Sequence, residues 1–510
     1  MILAAALGAL QTVAYAATWA WWLQLACIAV LAGQAARTTT PRRAALVGLA
    51  FGTAWVGAGT WWLFISMHRY GGLPGWMAAL AVLGLAAFLS LYLALALAAF
   101  ARWRCGRPFA DAMLFAALWL LAELARGVIF TGFPWVASGY AHVDSPLARL
   151  APWVGVYGIG CVAAGLAAWA AFALMQAGSP AWRRATGLAG MVSVLGALAL
   201  TQAAQFTRPT GTLSVTLLQG NIPQDEKFES TRQAAALEWH LQALLAARSD
   251  LVLAPETSIP FLPQQMPEGV WDGLQVRFAS GPTAALVGVP LGDDQVGYTN
   301  SAVGFAPGQP LYRYDKQHLV PFGEFIPAGF HWFTRLMDIP LGDFNRGPLV
   351  APSFAVGRER VAPNICYEDL FGEELAARFE DVAHAPTILA NISNIGWFGE
   401  SSAIDQHLQI SRMRTLELQR PMLRATNTGS TVVIDHHGEV HDRLAPHTRG
   451  VLEARVQGRE GLTPFVHWAS RFDLWPLWLA ATLGVAFAAW CRRRAVSARP
   501  APADHPAAPQ

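Results

Sequence analysis

The stretch Ala362-Pro-Asn-Ile-Cys-Tyr-Glu-Asp-Leu-Phe371 runs from an apolar segment into an acidic one, with a single cysteine at the junction. Residues 360–366 (RVAPNIC) read as a short buried strand, and 368–380 (EDLFGEELAARFE) as the helix that follows it. Two other chemistry-bearing residues sit at comparable junctions. Glu256 closes the apolar strand DLVLAPE (250–256), and Lys316 lies in the turn-rich segment YRYDKQHLVPFGEFIP (312–327). Sites in α/β sheets form at strand ends. A thiol at a helix start with a lysine nearby is expected to favour its thiolate. A glutamate in reach can take its proton, and an ammonium with a backbone N–H can stabilise an oxyanion. Glu256, Lys316 and Cys366 therefore have the chemistry for acyl transfer through a thioester. Each also has a plainer reading: a lone cysteine is usually a small core hydrophobe, and a strand-end glutamate is usually solvated.

Around these residues, 205–473 alternates apolar strands with helices. Strands are expected at 213–221, 284–291, 300–308, 386–393, 422–427, 430–440 and 450–456, and helices at 230–248 and 403–419. The pattern predicts two sheets between helices. Residues 1–203 differ sharply: their only acids are Asp111, Glu123 and Asp144. That shift predicts a boundary near residue 205.

The 510 residues are 54% hydrophobic and only 14% charged, with a mean hydropathy of +0.33. Soluble chains carry about 25% charged residues, so much of this one is expected in a bilayer. A net charge of +2 and the lack of a basic aromatic patch argue against a nucleic-acid partner. Five cysteines without a CxxC pair argue against a disulfide framework or a zinc site. The 36 basic residues include only two lysines, Lys227 and Lys316. A lysine kept in so arginine-rich a chain is a candidate for work that arginine cannot do, such as reversible proton transfer.

A crossing helix needs about 20 mostly apolar residues. Spans are expected at roughly 43–66, 75–101, 109–126, 150–177, 184–203 and 474–491, with 2–33 forming two short helices rather than one long one. The arginines of ARTTTPRR, ARWRCGR, WRR and CRRR then fall after alternate spans, which places both termini in the cytoplasm and 205–473 outside it. The first residues lack a basic n-region and are not read as a cleaved signal peptide. Glu123 and Arg126 share a helical face and can pair. The pair either serves function or orients the bundle. TGFPWVASGY (131–140) reads as an external loop with Pro-Trp at the interface. DHHGEVHD (435–442) superficially suggests a metal, but its spacing fits no strong motif and HHGE reads as a hairpin turn.

Further segments occur in a telling order: LQGNIPQDEKF (218–228), APETSIP (254–260), YTNSAV (298–303), YDKQHLVPFGEFIP (314–327), NICYEDLF (364–371), NISNIGWFG (391–399) and RPMLRATNTGST (420–431), preceded by LWLLAELARGVIFTGFPW (118–135). Together they resemble the apolipoprotein N-acyltransferases, the integral-membrane branch of the nitrilase (carbon–nitrogen hydrolase) superfamily, over nearly the whole chain. The resemblance implies a polytopic α-helical membrane bundle of about eight helices plus an α/β nitrilase-like αββα sandwich. The implied division is a seven-helix membrane domain (1–204), a periplasmic catalytic domain (205–473), an eighth helix (474–494) and a disordered cytoplasmic tail (495–510). The implied location is a bacterial inner membrane.

The resemblance also implies roles: Glu256 as general base, Lys316 as transition-state stabiliser, Cys366 as nucleophile, and the Tyr367 amide as a second oxyanion donor. Glu324 matches a second essential glutamate, Tyr367 and Glu368 the pair after the nucleophile, and Phe228, Asn300 and Trp397 supporting or substrate-binding positions. The implied reaction moves an acyl chain from phosphatidylethanolamine to the diacylglyceryl-cysteine of an apolipoprotein. No metal or cofactor is implied. The expected partners are the phospholipid donor, the apolipoprotein acceptor and the bilayer, and the chain is expected to act as a monomer. Two positions depart from the family pattern: Phe228 replaces a frequent tryptophan, and Ile395 replaces the Asp of NDGWF. The apolar segment 328–344 suggests either a packed core helix or an arm that dips into the outer leaflet. Two competing functions remain: a membrane-anchored amidase using water as acceptor, and a transporter with a receptor domain.

Overall fold

A computed structural model describes residues 1–176, 178–224, 230–327 and 343–497. Phe228, Lys227 and most of the expected arm (328–342) lie outside the described residues, as does the tail beyond 497.

The helical part comprises α1 (Ile2–Leu10), α2 (Trp21–Arg37), α3 (Pro41–Gly59), α4 (Gly75–Leu89), α5 (Leu91–Trp103), α6 (Pro108–Val128), α7 (Ala151–Leu174) and α8 (Ala181–Leu200). Residues 2–33 thus form two helices joined by 3-10 turns, as expected. Four stretches are long and apolar enough to cross a bilayer: Thr18–Arg37, Gly75–Trp103, Pro108–Thr131 and Pro146–Leu174. Two bent pairs raise the number to six: α3 with Leu63–Tyr70 (63°), and Pro464–Phe472 with Trp475–Arg494 (95°). The eight expected would add Ile2–Tyr15, which is short, and α8, which begins with Arg183 and Arg184. Small residues let these helices approach closely. A Cβ at Gly48 of α3 would sit 2.9 Å from the Leu93 carbonyl of α5.

The remaining helices are α9 (Ser230–Ala246), α10 (Val270–Ser280), α11 (Gly372–Ala377), α12 (Ala403–Leu418), α13 (Pro464–Phe472) and α14 (Trp475–Ser497). The first sheet joins β1 (Thr207–Gln219), β2 (Leu251–Leu253), β3 (Ala284–Asp293), β4 (Gly297–Phe305), β5 (Tyr312–Asp315) and β12 (Gly450–Gly461), in the order β12-β1-β2-β3-β4-β5. The second joins β6 (Phe354–Val356), β7 (Glu359–Ile365), β8 (Ile388–Ser393), β9 (Met422–Thr426), β10 (Val432–Ile434) and β11 (Val440–Arg443), in the order β11-β10-β9-β8-β7-β6. In each sheet three neighbouring strands run parallel, β1-β2-β3 and β7-β8-β9.

Strands buried on both faces read as continuous apolar runs. In β2, Leu251 and Leu253 face the second sheet among Val215, Ile365 and Ala390, while Val252 points outward beneath Leu244 and Phe278 of α9 and α10. Leu375, Leu408 and Phe465 of α11, α12 and α13 cover the other sheet. The result is the expected αββα sandwich.

Three local expectations change. The 430–440 run is two strands, with DHHGE as their turn: Asp435 Oδ1 accepts from the amides of His437 and Glu439. Asp435, Glu439 and His441 lie close together there, with His441 Nε2 3.0 Å from Asp435 Oδ2. Residues 368–380 are not one helix but a 3-10 turn, Cys366–Leu370, followed by α11. The Pro-Trp of 131–140 does not lie at a membrane interface: Trp135, Val136, Ala137 and Tyr140 are buried, with Trp135 donating to Gln406 and the Tyr140 hydroxyl to the Leu370 carbonyl.

The two parts share one core, in which Tyr367, Phe371, Ile395 and Ile404 join the bundle's residues. Polar contacts lock the seam. Gln406 Oε1 accepts from the indole N–H groups of Trp62 (3.1 Å) and Trp135 (2.8 Å). Glu417 accepts from the Val156 amide at 2.6 Å, where α7 breaks at Gly155 (φ +64°). A side chain at 155 would collide with the Phe465 ring. Helix α12 is polar in sequence yet almost wholly buried, because its Gln, His, Arg and Glu side chains find partners on both sides. Glu123 and Arg126 pair at 3.1 Å. Glu123 takes the Ser138 amide at 2.7 Å and Arg126 donates to the Val136 carbonyl at 3.3 Å. That supports the orienting reading of the pair: it ties 131–140 to the bundle.

Candidate active site

The carboxyl ends of β2, β7 and β8 meet at one end of the sandwich. Beyond β2 lies Glu256, beyond β7 Cys366, and beyond β8 Asn394. Lys316 follows β5 directly, and Asn300 sits within β4. The first sheet therefore supplies the carboxylate and the cation, and the second supplies the thiol.

Lys316 is 1% exposed. Its Nζ lies 2.9 Å from Glu324 Oε1 and 3.5 Å from Glu256 Oε1. Asn300 Nδ2 reaches both of those oxygens at 2.7 Å. The remaining oxygens are also satisfied: Glu256 Oε2 accepts from the Asn394 amide and Glu324 Oε2 from the Val320 amide, each at 2.8 Å. Burial alone would lower the Lys316 pKa, but Glu324 and Glu256 outweigh it and hold the ammonium protonated.

Cys366 occupies a strained elbow with φ +53°, a conformation that costs a β-carbon-bearing residue about 1–3 kcal/mol. Burial, and next the charge of Glu256, push the thiol well above its ordinary pKa, while Lys316 opposes them. This reverses the expectation of a favoured thiolate. The helix start is a 3-10 turn of five residues, too short to build much of a dipole. A thiol kept protonated in this way could serve as a nucleophile only if its proton were removed during attack, a step that the Glu256 carboxylate acting on it suits.

Glu368 braces the elbow. Its carboxylate accepts from the Ile365 amide (2.6 Å), the Gln317 amide (2.6 Å) and the Tyr314 hydroxyl (2.8 Å). It thus ties the strand before Cys366 to the segment beside Lys316. Burial raises its own pKa. The Tyr367 hydroxyl donates to the Gly132 carbonyl of the bundle at 3.1 Å. Trp397 packs edge-on against Tyr70 at 5.7 Å, so it lies at the seam. Ile395 is buried in the shared core, and an apolar residue fits that position. Glu256, Lys316, Cys366, Glu324, Asn300, Tyr367 and Glu368 thus come together.

Other participants were not singled out from sequence. Asn394, which feeds Glu256, is itself held by Gln224 (2.9 Å) and Asn427 (3.0 Å). The strand-end asparagines of NISN were the available signal. Asp369, His407 and Arg424 form a buried group behind the elbow; Asp369 and Arg424 fall within the segments 364–371 and 420–431, but nothing local in the polar helix 403–419 marks His407.

Two family profiles cover most of the chain. The Apolipoprotein N-acyltransferase N-terminal domain matches residues 7–169, and the Carbon-nitrogen hydrolase family matches 214–464. The Apolipoprotein N-acyltransferase of Verminephrobacter eiseniae is 54% identical over 89% of both chains. That of Ralstonia nicotianae is 48% identical over 97% of this chain and 94% of its own. That of Nitrosomonas europaea is 39% identical over 92% and 94%. Among solved structures, a CN-hydrolase superfamily protein from Xanthomonas campestris aligns over 52% of this chain and 96% of its own, at 19% identity and a TM-score of 0.38. With both halves matched in order, and relatives this similar over nearly their full length, the chain belongs to the apolipoprotein N-acyltransferases.

Proposed function

We propose that Cys366 carries the acyl chain as a thioester between a phospholipid donor and the α-amino group of an apolipoprotein's diacylglyceryl-cysteine. The observation that supports this most is the Lys316 ammonium held between Glu256 and Glu324, across from a thiol on a strained elbow. In the first half, Glu256 takes the thiol proton as Cys366 Sγ attacks the ester carbonyl of the lipid. The oxyanion faces the Lys316 ammonium and the Tyr367 N–H. Collapse breaks the C–O bond, and the leaving alkoxide takes the proton from Glu256, giving lysophospholipid. In the second half, the neutral amine attacks the thioester, Glu256 accepts its proton, and the proton returns to the departing sulfur. The product is an amide.

The arginine clusters between helices support a cytoplasmic side for both termini and a periplasmic sandwich, with α1 and α8 completing eight crossings. The shared core and the seam support lipid as donor, since the nucleophile's segment is built against the bundle. The chain is proposed to act as a monomer.

The test is mass spectrometry of the full-length protein after incubation with phospholipid. The expected result is one acyl adduct on wild type, lost in Cys366→Ser and discharged by a lipopeptide amine much faster than by water. No adduct on wild type would refute the reading, and rapid discharge by water would favour an amidase.

A further inference from the structure

The carbonyl of Cys366 accepts two hydrogen bonds from behind the elbow, from Asn391 Nδ2 and His407 Nε2, each at 3.2 Å. That oxygen belongs to the same planar peptide as the Tyr367 N–H. In a trans unit the two point in opposite directions, so a hold on the oxygen is a hold on the aim of the hydrogen. We propose that His407 is a positioning residue that aims the Tyr367 N–H at the oxyanion during acyl transfer; the inference rests on the thioester reading above.

The imidazole is built for this. It is fully buried, and its Nε2 also lies 2.8 Å from Asp369 Oδ1. Its Nδ1 lies 3.2 Å from Arg424 Nη2. A guanidinium only donates, so Nδ1 accepts, and the partner set assigns the ring hydrogen to Nε2, where both neighbours are acceptors. Asp369 is fixed in turn: its other oxygen takes the Ser411 hydroxyl and, at 3.3 Å, Arg424 Nη1. On the bundle side the Trp135 ring lies against the imidazole, centroids 5.5 Å apart. The indole N–H of Trp135 goes to the adjacent Gln406. The ring can neither flip nor swing without breaking several of these contacts. His407 touches neither the thiol nor Lys316 in this network, so its part is alignment.

The readout separates alignment from general disturbance. Acylation by phospholipid passes through an oxyanion, whereas alkylation of the same thiol by iodoacetamide does not. In full-length protein, His407→Ala is expected to slow single-turnover acylation at saturating lipid by at least about tenfold, part of the effect of deleting an oxyanion donor. Half-saturation and the alkylation rate should stay within about twofold of wild type. His407→Gln, whose amide N–H can stand in for Nε2–H, should recover most of the rate. Acylation by His407→Ala within about threefold of wild type overturns the inference, as does an equal loss in acylation and alkylation. If His407→Ala does not accumulate, His407→Asn carries the same comparison, since its shorter side chain withdraws the donor from the carbonyl. A wild type that forms no adduct overturns the thioester reading and this inference with it. Normal wild-type acylation with an equally fast variant overturns the inference alone.

Discussion

Glu324→Gln removes one charge from the cluster and almost no volume. Glu324 Oε1 lies 2.9 Å from a Lys316 ammonium that is 1% exposed. At an effective dielectric constant of about 20, two unit charges at that separation attract by roughly 6 kcal/mol. Part of that offsets desolvation, and breaking a buried pair costs about 3–5 kcal/mol. Two effects then compete at the thiol. Loss of the Glu324 charge removes one of the influences that raise the Cys366 pKa, but a lesser one than burial or Glu256. Against it, Lys316 keeps Glu256 as its one contacting carboxylate, at 3.5 Å, and is expected to close on it; on the proposed mechanism Glu256 then becomes a poorer proton acceptor and the cation leaves the oxyanion position. Direct contact outweighs the remoter influence. If about 3 kcal/mol of the loss falls on the transition state, acylation slows roughly 10²-fold. Single-turnover adduct formation measured by mass spectrometry, beside a thermal melt of the same sample, reads both effects. Acylation within about threefold of wild type, with a lowered melting temperature, would show that Glu324 only stabilises the fold.

Burial raises the Glu373 pKa to about 8. The folded state therefore keeps a proton that the unfolded chain loses near its ordinary carboxylate value, and stability falls as pH rises between the two, by up to about 1.4 kcal/mol per pH unit. Glu373→Gln should melt higher than wild type at pH 8 and nearly level with it at pH 4.5; a gap that does not change with pH would refute the assignment. Gln406→Leu takes the acceptor from the buried Trp135 N–H, at roughly 1–3 kcal/mol, while the Trp62 N–H keeps the Gly59 carbonyl at 3.1 Å. It should lower the melting temperature and increase proteolysis at the seam, and an unchanged melt would mean that the Trp135 indole finds another partner.

The sandwich was legible because its strands are unusually plain. Runs such as LVL at 251–253 are buried on both faces and admit little but parallel interior strands. Glu256, Lys316 and Cys366 were legible because each ends a strand or follows one, and because lysine is so rare here. The thiol's protonation was misjudged because it depends on burial and on carboxylates contributed from the other sheet, which no local window contains. The Pro-Trp of 131–140 was misplaced for the same reason. It looks interfacial alone, and only the tertiary fold reveals that Trp135 is paired with Gln406, 271 residues away. His407 left no signal at all, since a histidine in a polar helix is ordinary until the helix is buried.

The core common to bundle and sandwich has a bearing on biogenesis. Tyr367, Leu370 and Phe371, just past Cys366, find their apolar partners among the helices. A sandwich expressed without those helices would expose that surface beside Cys366, so it is not a separable soluble enzyme. The segment beside Cys366 therefore takes its final packing only with the helices in place, which links the setting of that thiol to assembly of the bundle.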